Sequence, residues 1–161
     1  KKKKDSAFHY FSRAQALDPG NQVAADGLQD IVARYLQLTE KASRQGHFGT
    51  AEQFLDRATM VDPRAEGIEA AEANLEMERD RTHSVHHFEF AGVRNQQSGV
   101  ADSLRQIAST VSEINAFVLI TAPSDEMGRW MYAQVQSGMA NSRIRADIEI
   151  GEQPSVRLVV Q

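Results

Sequence analysis

The chain predicts an α+β protein: an antiparallel helical array in the N-terminal half, then a β-α-β-α-β-β sandwich with its helices on one sheet face. Three observations predict it. The phrase running from Ala7 to Pro19 returns from Ala51 to Pro63, with an aromatic, Arg-Ala and a closing Asp-Pro in register; a self-match at fixed offset marks stacked helical units. Between and after the two copies, apolar residues recur every three to four positions, the spacing of a helix with one buried face. Near Thr82 that rhythm gives way to short alternating segments separated by helical stripes. The expected domains are therefore residues 5–82 and 83–161.

Composition narrows the function classes. The 161 residues, 41% hydrophobic and 25% charged, suffice for one ordinary core or two small ones. A net charge of −4 offers no overall attraction to nucleic acid, and the one dense basic run, Lys1 to Lys4, reads as a solvated end. The absence of cysteine excludes disulfides, thiolate zinc sites and cysteine nucleophiles. The longest apolar stretch, Ala116 to Ile120, is far shorter than the roughly 20 residues of a membrane span. The chain begins on Lys1 without an initiating Met and reads as a piece of a longer protein, so a signal peptide or anchor upstream is compatible with it.

In the helical half, the first copy is represented only by its second helix, Ala7 to Pro19. Val23, Leu28, Ile31, Val32, Tyr35, Leu38 and Ala42 then predict one helix of about 24 residues, some 36 Å long at 1.5 Å per residue, starting after Asn21 and stopping at Gly46. A turn at Gln45-Gly46-His47 leads to a helix from Thr50, its expected N-cap, to Val61, ended by Asp62-Pro63. A last helix from Glu66 to Arg81 turns Ile68, Ala71, Leu75 and Met77 inward, with Gly67 in its first turn.

These residues resemble the tetratricopeptide repeat family. Tyr35, Leu38, Gly46, Phe48, Ala51, Leu55, Ala58 and Pro63 fall where that family places its large residue, Leu, Gly, aromatic, Ala, aromatic or Leu, Ala and Pro. Two departures stand out: the copies lie 44 residues apart, not the family's 34, and Thr39 occupies a position where the family favours Gly or Ala. The resemblance implies a scaffold whose concave face binds a peptide or helix; packing of these helices on a neighbouring domain is the alternative.

In the mixed half, Val85 to Phe90 alternates as a strand with Phe88 and Phe90 on one face, and Ala91 to Gly99 has loop composition. Val100, Leu104, Ile107, Ala108, Val111 and Ile114 form one helical stripe. Ala116 to Thr121 is apolar on both faces and predicts a central strand. Asp125 to Ser137 predicts a helix capped by Ser124, with Met127, Trp130, Met131 and Val135 on its apolar side. Two alternating strands close the chain, Ile144 to Ile150 and Val156 to Val160, joined by Gly151-Glu152-Gln153-Pro154 as a hairpin loop.

That order, with Gly138-Met139, Arg143-Ile144 and Gly151-Glu152-Gln153-Pro154, is similar to the OmpA-like peptidoglycan-binding domain. Ala122-Pro123-Ser124-Asp125 stands where the family has Gly-His-Thr-Asp. The stretch that carries the family's ligand-gripping Arg is shortened here, and Arg129 is the residue available for that part. The resemblance implies that Asp125 would take the ammonium and Arg129 the carboxylate of diaminopimelate. It places the chain in a bacterial cell envelope or periplasm, with the cytoplasm as the alternative. Asp and Arg at this spacing on one helix face commonly pair with each other instead.

The remaining constellations do not assemble chemistry. His86 and His87 point to opposite faces of an extended strand, so His83, His86, His87 and Glu89 do not converge on a metal. His9 and His47 are isolated. Asp125 and Glu126 suit the positive end of a helix dipole, and no nucleophile elbow or phosphate-binding glycine loop is present. Trp130, Met131, Tyr132 and Met139 read as helix-to-sheet packing, or, with Trp130 and Tyr132 exposed, as a partner-binding patch. The expected function is a non-catalytic envelope-associated scaffold that attaches to peptidoglycan, needs no cofactor and binds no nucleic acid. The alternative is a protein-interaction module of a larger regulatory or secretion-related protein. A hydrolase using Asp125 and Glu152 is the third reading, and it requires a cleft joining the two carboxylates.

Overall fold

The computed structural model describes residues 2–161, with side chains from Ala7 onward, so the solvated end read into Lys1 to Lys4 lies outside the described side chains. Among the described residues there are seven helices and one four-stranded mixed sheet, an α+β architecture with strands confined to the C-terminal half. The chain divides into two compact units, Lys1–Glu78 and Arg79–Gln161.

The helical unit holds α1 (Lys2–Leu17), α2 (Gln22–Arg44), α3 (Phe48–Val61) and the greater part of α4 (Ile68–Arg81). Asn21 caps α2 by accepting the Ala24 N–H at 3.1 Å. α2 ends in a Schellman motif: Gly46 takes φ +77, its N–H bonds Ser43 O, and the His47 N–H bonds Ala42 O. This motif sets the start of α3 at His47, three residues before the expected cap at Thr50. Gly67 lies outside α4, not in its first turn, and takes φ +95, which a side chain would resist.

Ala42, Ala51, Leu55, Ile68 and Leu75 form the core of this unit, each side chain larger than Ala contributing about 1.5–3 kcal/mol by leaving water. Tyr35 stacks on Phe54 with ring centroids 6.3 Å apart. The odd residue Thr39 is 1% exposed, and its hydroxyl donates back to the Tyr35 carbonyl at 2.8 Å, so burial leaves no polar group unmet. Val23 and Met77, expected inward, are 72% and 56% exposed. Both sit near helix ends, where the apolar stripe has rotated off the core.

In the second unit the elements are β1 (Thr82–His87), α5 (Phe90–Arg94), α6 (Ser98–Ile114), β2 (Phe117–Ala122), α7 (Asp125–Ser137), β3 (Arg145–Ile150) and β4 (Ser155–Val159). The sheet order is β1-β4-β2-β3; β4 is antiparallel to both neighbours and β2 is parallel to β3. The closing strands are thus not a hairpin. β3 and β4 run on either side of β2, and Gly151 to Pro154 carries the chain across it. The strand before α6 also starts and ends earlier than expected. The Phe88 N–H bonds Pro154 O just past the β1 ladder, Glu89 becomes the N-cap of α5, and Phe90, expected to close the strand, opens a helical turn that runs on into the expected loop.

One sheet face carries the core. Val118, Ile120, Ala122, Val156 and Leu158 meet Leu104, Ile107, Ala108 and Val111 of α6 and Met131 and Val135 of α7. Asn115 ends α6 in the left-handed region at φ +51, and Ser124 caps α7 by accepting the Met127 N–H at 3.2 Å. The opposite face of β4 carries Ser155, Arg157 and Val159, all buried; the Arg157 Nη1 donates to Thr82 Oγ1 at 3.4 Å. Val160, expected on the closing strand, lies past its end and is 44% exposed.

Candidate functional site

In the helical unit a groove of about 540 Å³ lies between α2 and α4. These helices are separated in sequence by α3, and each contributes one face. Leu36, Ala71 and Leu75 supply apolar surface, while Gln37, Ser43 and Asn74 supply hydrogen-bonding groups. Ser43 is 5% exposed, and its Oγ has no hydrogen-bond partner. Buried hydroxyls are normally satisfied, and this one is an exception beneath the groove wall. Arg44 and Glu40, which also line the groove, pair at 3.6 Å. A smaller cleft of about 320 Å³ lies between α1 and α2, where Phe11 meets Gly27. A Cβ on Gly27 would touch the Phe11 ring at 2.5 Å, so the glycine is what lets α1 and α2 approach there.

In the sheet unit, α7 brings Asp125 and Arg129 together at its N-terminal end. They bond each other, Arg129 Nε to Asp125 Oδ2 at 2.8 Å, with side chains 77% and 66% exposed for Arg and Asp. An ion pair so wetted adds little to stability, and each head spends its charge on the other. Glu126 and Glu152 are exposed too. Trp130 and Tyr132 are half-buried and pack against the sheet core along with Met127 and Met139.

The histidines separate as strand geometry requires. His86 pairs with Val156 and so lies on the helix-covered face, His87 pairs with Ser155 on the other, and Glu89 has left the strand. Among the described residues no group of three or more His, Asp or Glu side chains is placed to hold a metal ion. His9 is exposed, and His47 is half-buried at the N-cap of α3. No described helix is long and apolar enough to cross a membrane.

No protein-family model matches the chain, and neither a curated protein nor a solved structure does. The α2–α4 groove itself was not legible beforehand, because it joins two helices about 35 residues apart whose lining positions belong to separate stripes. Its one sequence signal was the run of small residues, Ala70, Ala71 and Ala73, on α4.

Proposed function

We propose that the protein is a non-catalytic binding module whose helical unit takes a peptide or helical segment of another protein in the α2–α4 groove. The observation that carries this is the groove's composition: an apolar floor from Leu36, Ala71 and Leu75 with two amide side chains, Gln37 and Asn74, at its wall. Its volume lies within the usual range of ligand clefts, roughly 300–1,000 Å³. Gln37 and Asn74 can hydrogen-bond a peptide backbone, and the peptide's side chains cover Leu36 and Ala71. The resemblance to tetratricopeptide repeats supports the same use.

Selection of peptides from a displayed random library on the full chain tests the reading. Binders recovered from the wild type are expected to lose at least about tenfold in affinity, or 1.4 kcal/mol, on Ala70→Arg. Ala70 is exposed and lines the groove, so the change fills the groove without entering the core. Failure to recover binders, or binders indifferent to Ala70→Arg, overturns the proposal.

A second reading, attachment of a bacterial envelope protein to peptidoglycan through the sheet unit, draws on the solvent-exposed Asp125 and Arg129 heads. It requires their mutual bond to open toward an ammonium and a carboxylate. Co-sedimentation with purified sacculi is the measurement: pelleting that is lost in Asp125→Ala and in Arg129→Ala supports attachment, and a protein that stays in the supernatant sinks it.

A further inference from the structure

Strand β1 is the edge of the sheet and continues directly from α4, with Arg81 ending the helix and Thr82 opening the strand. Its partner on one side only is β4, and the ladder is already interrupted by a register shift between Thr82 and Ser84, with His83 between them. Three of the six residues are histidines. His86 is the one turned toward the helix-covered face, where it pairs with Val156 and where its ring meets the Ser84 hydroxyl, Oγ to Nε2 at 3.2 Å.

Among the described residues, the buried side chains on the face of His86 hold no counter-charge for an imidazolium. β4 presents Val156 and Leu158 on this face, and the buried side chains of α5 and α6 are apolar, with Val93 and Leu104 the largest. The charged residues of those helices, Arg94, Asp102, Arg105 and Glu113, are all exposed, as are Asp125, Glu126 and Arg129 of α7. Asp102 and Arg105 are moreover paired with each other. The remaining titratable groups near it are its own strand neighbours, His87 and His83.

We propose that β1 is an acid-releasable edge strand, in which charging of His86 detaches Thr82–His87 from β4 while the rest of the sheet stays paired. Burial first, then the like charge of His87 and His83, hold the folded-state pKa of His86 below its ordinary 6.5. The sign follows. The detached strand takes up the proton more readily than the paired one, so pairing is at full strength above about pH 7.5 and weakens as pH falls below about 6.5. One such group changes the opening equilibrium by at most about tenfold per pH unit. Release leaves the six residues after α4 as unpaired chain, which makes the junction responsive to acid.

Amide hydrogen exchange on the full chain between pH 7.5 and 5.5, corrected for intrinsic rates, tests this. The protection of β1 amides is expected to fall as pH drops below 6.5, by no more than about tenfold per pH unit, while that of β2 amides holds and His86→Gln flattens the β1 response. A β1 protection independent of pH, a parallel fall in β2, or a fall that survives His86→Gln overturns the proposal. Independently of any variant, NMR titration of the His86 ring in the wild type should give a midpoint under 6.5; a midpoint at or above it is equally fatal.

Discussion

Gly138→Val is expected to cost the sheet unit about 3 kcal/mol or more, at the top of the range for overpacking. Gly138 has φ −80 and ψ −9, a conformation open to any residue, so backbone strain is not the reason. Space is. A Cβ there would run into the backbone carbonyl of Arg105 and come within 2.7 Å of the Ala108 Cβ, both on α6. Neither can step aside without moving that helix, and α6 carries Leu104, Ile107 and Val111 into the core. Trp130 is the one tryptophan in the chain and packs on the same core, so its fluorescence during urea unfolding reports this unit. At an ordinary urea dependence of 1–3 kcal/mol per molar, the midpoint should drop by about 1 M or more. Gly99→Ala is the control: nothing lies within 4 Å of its Cβ, and the midpoint should stay or rise slightly.

Leu104→Ala is expected to lose about 2–5 kcal/mol in the same assay, from the lost transfer of the Cγ and both Cδ carbons and the void left behind. Leu104 is wholly inaccessible and sits at the centre of the α6 stripe, between sheet and helix. Leu104→Met keeps most of the volume and should cost less than about 1.5 kcal/mol. Equal losses for Ala and Met would mean that side-chain shape, not filled volume, governs this core.

The α6 stripe shows what a sequence carries well. Of its six expected residues, Leu104, Ile107, Ala108 and Val111 are buried and the end residues Val100 and Ile114 are half-buried, because one long amphipathic helix has only one way to face a core. Alternation put Ala146, Ile148, Val156 and Leu158 on the core side, but Ile150 is 57% exposed, the burial of the second face of β4 was missed, and alternation does not name a strand's neighbour. A short connection suggested adjacency, whereas the ladders place β2 between the two strands. At Phe88 to Phe90 the alternation continued past the real end of the strand, because Glu89 turns the chain into α5 and Phe90 opens that helix. The spacing of Asp125 and Arg129 foretold their ion pair. The groove was hidden for the opposite reason: its two walls are each unremarkable alone, and only tertiary packing of α2 beside α4 brings them to one cavity.

The placement of β4 bears on how this unit can be made. It is the latest of the four strands along the chain, yet it lies inside the sheet and supplies every bond that joins β1 to β2. During synthesis, which proceeds from the N-terminus, β2 and β3 can pair as soon as Ile150 emerges, but β1 has to wait unpaired until Ser155 to Val159 has left the ribosome. Nascent chains halted before Val156 should therefore display an orphaned His-rich segment to chaperones and proteases, and ones released a few residues later should not.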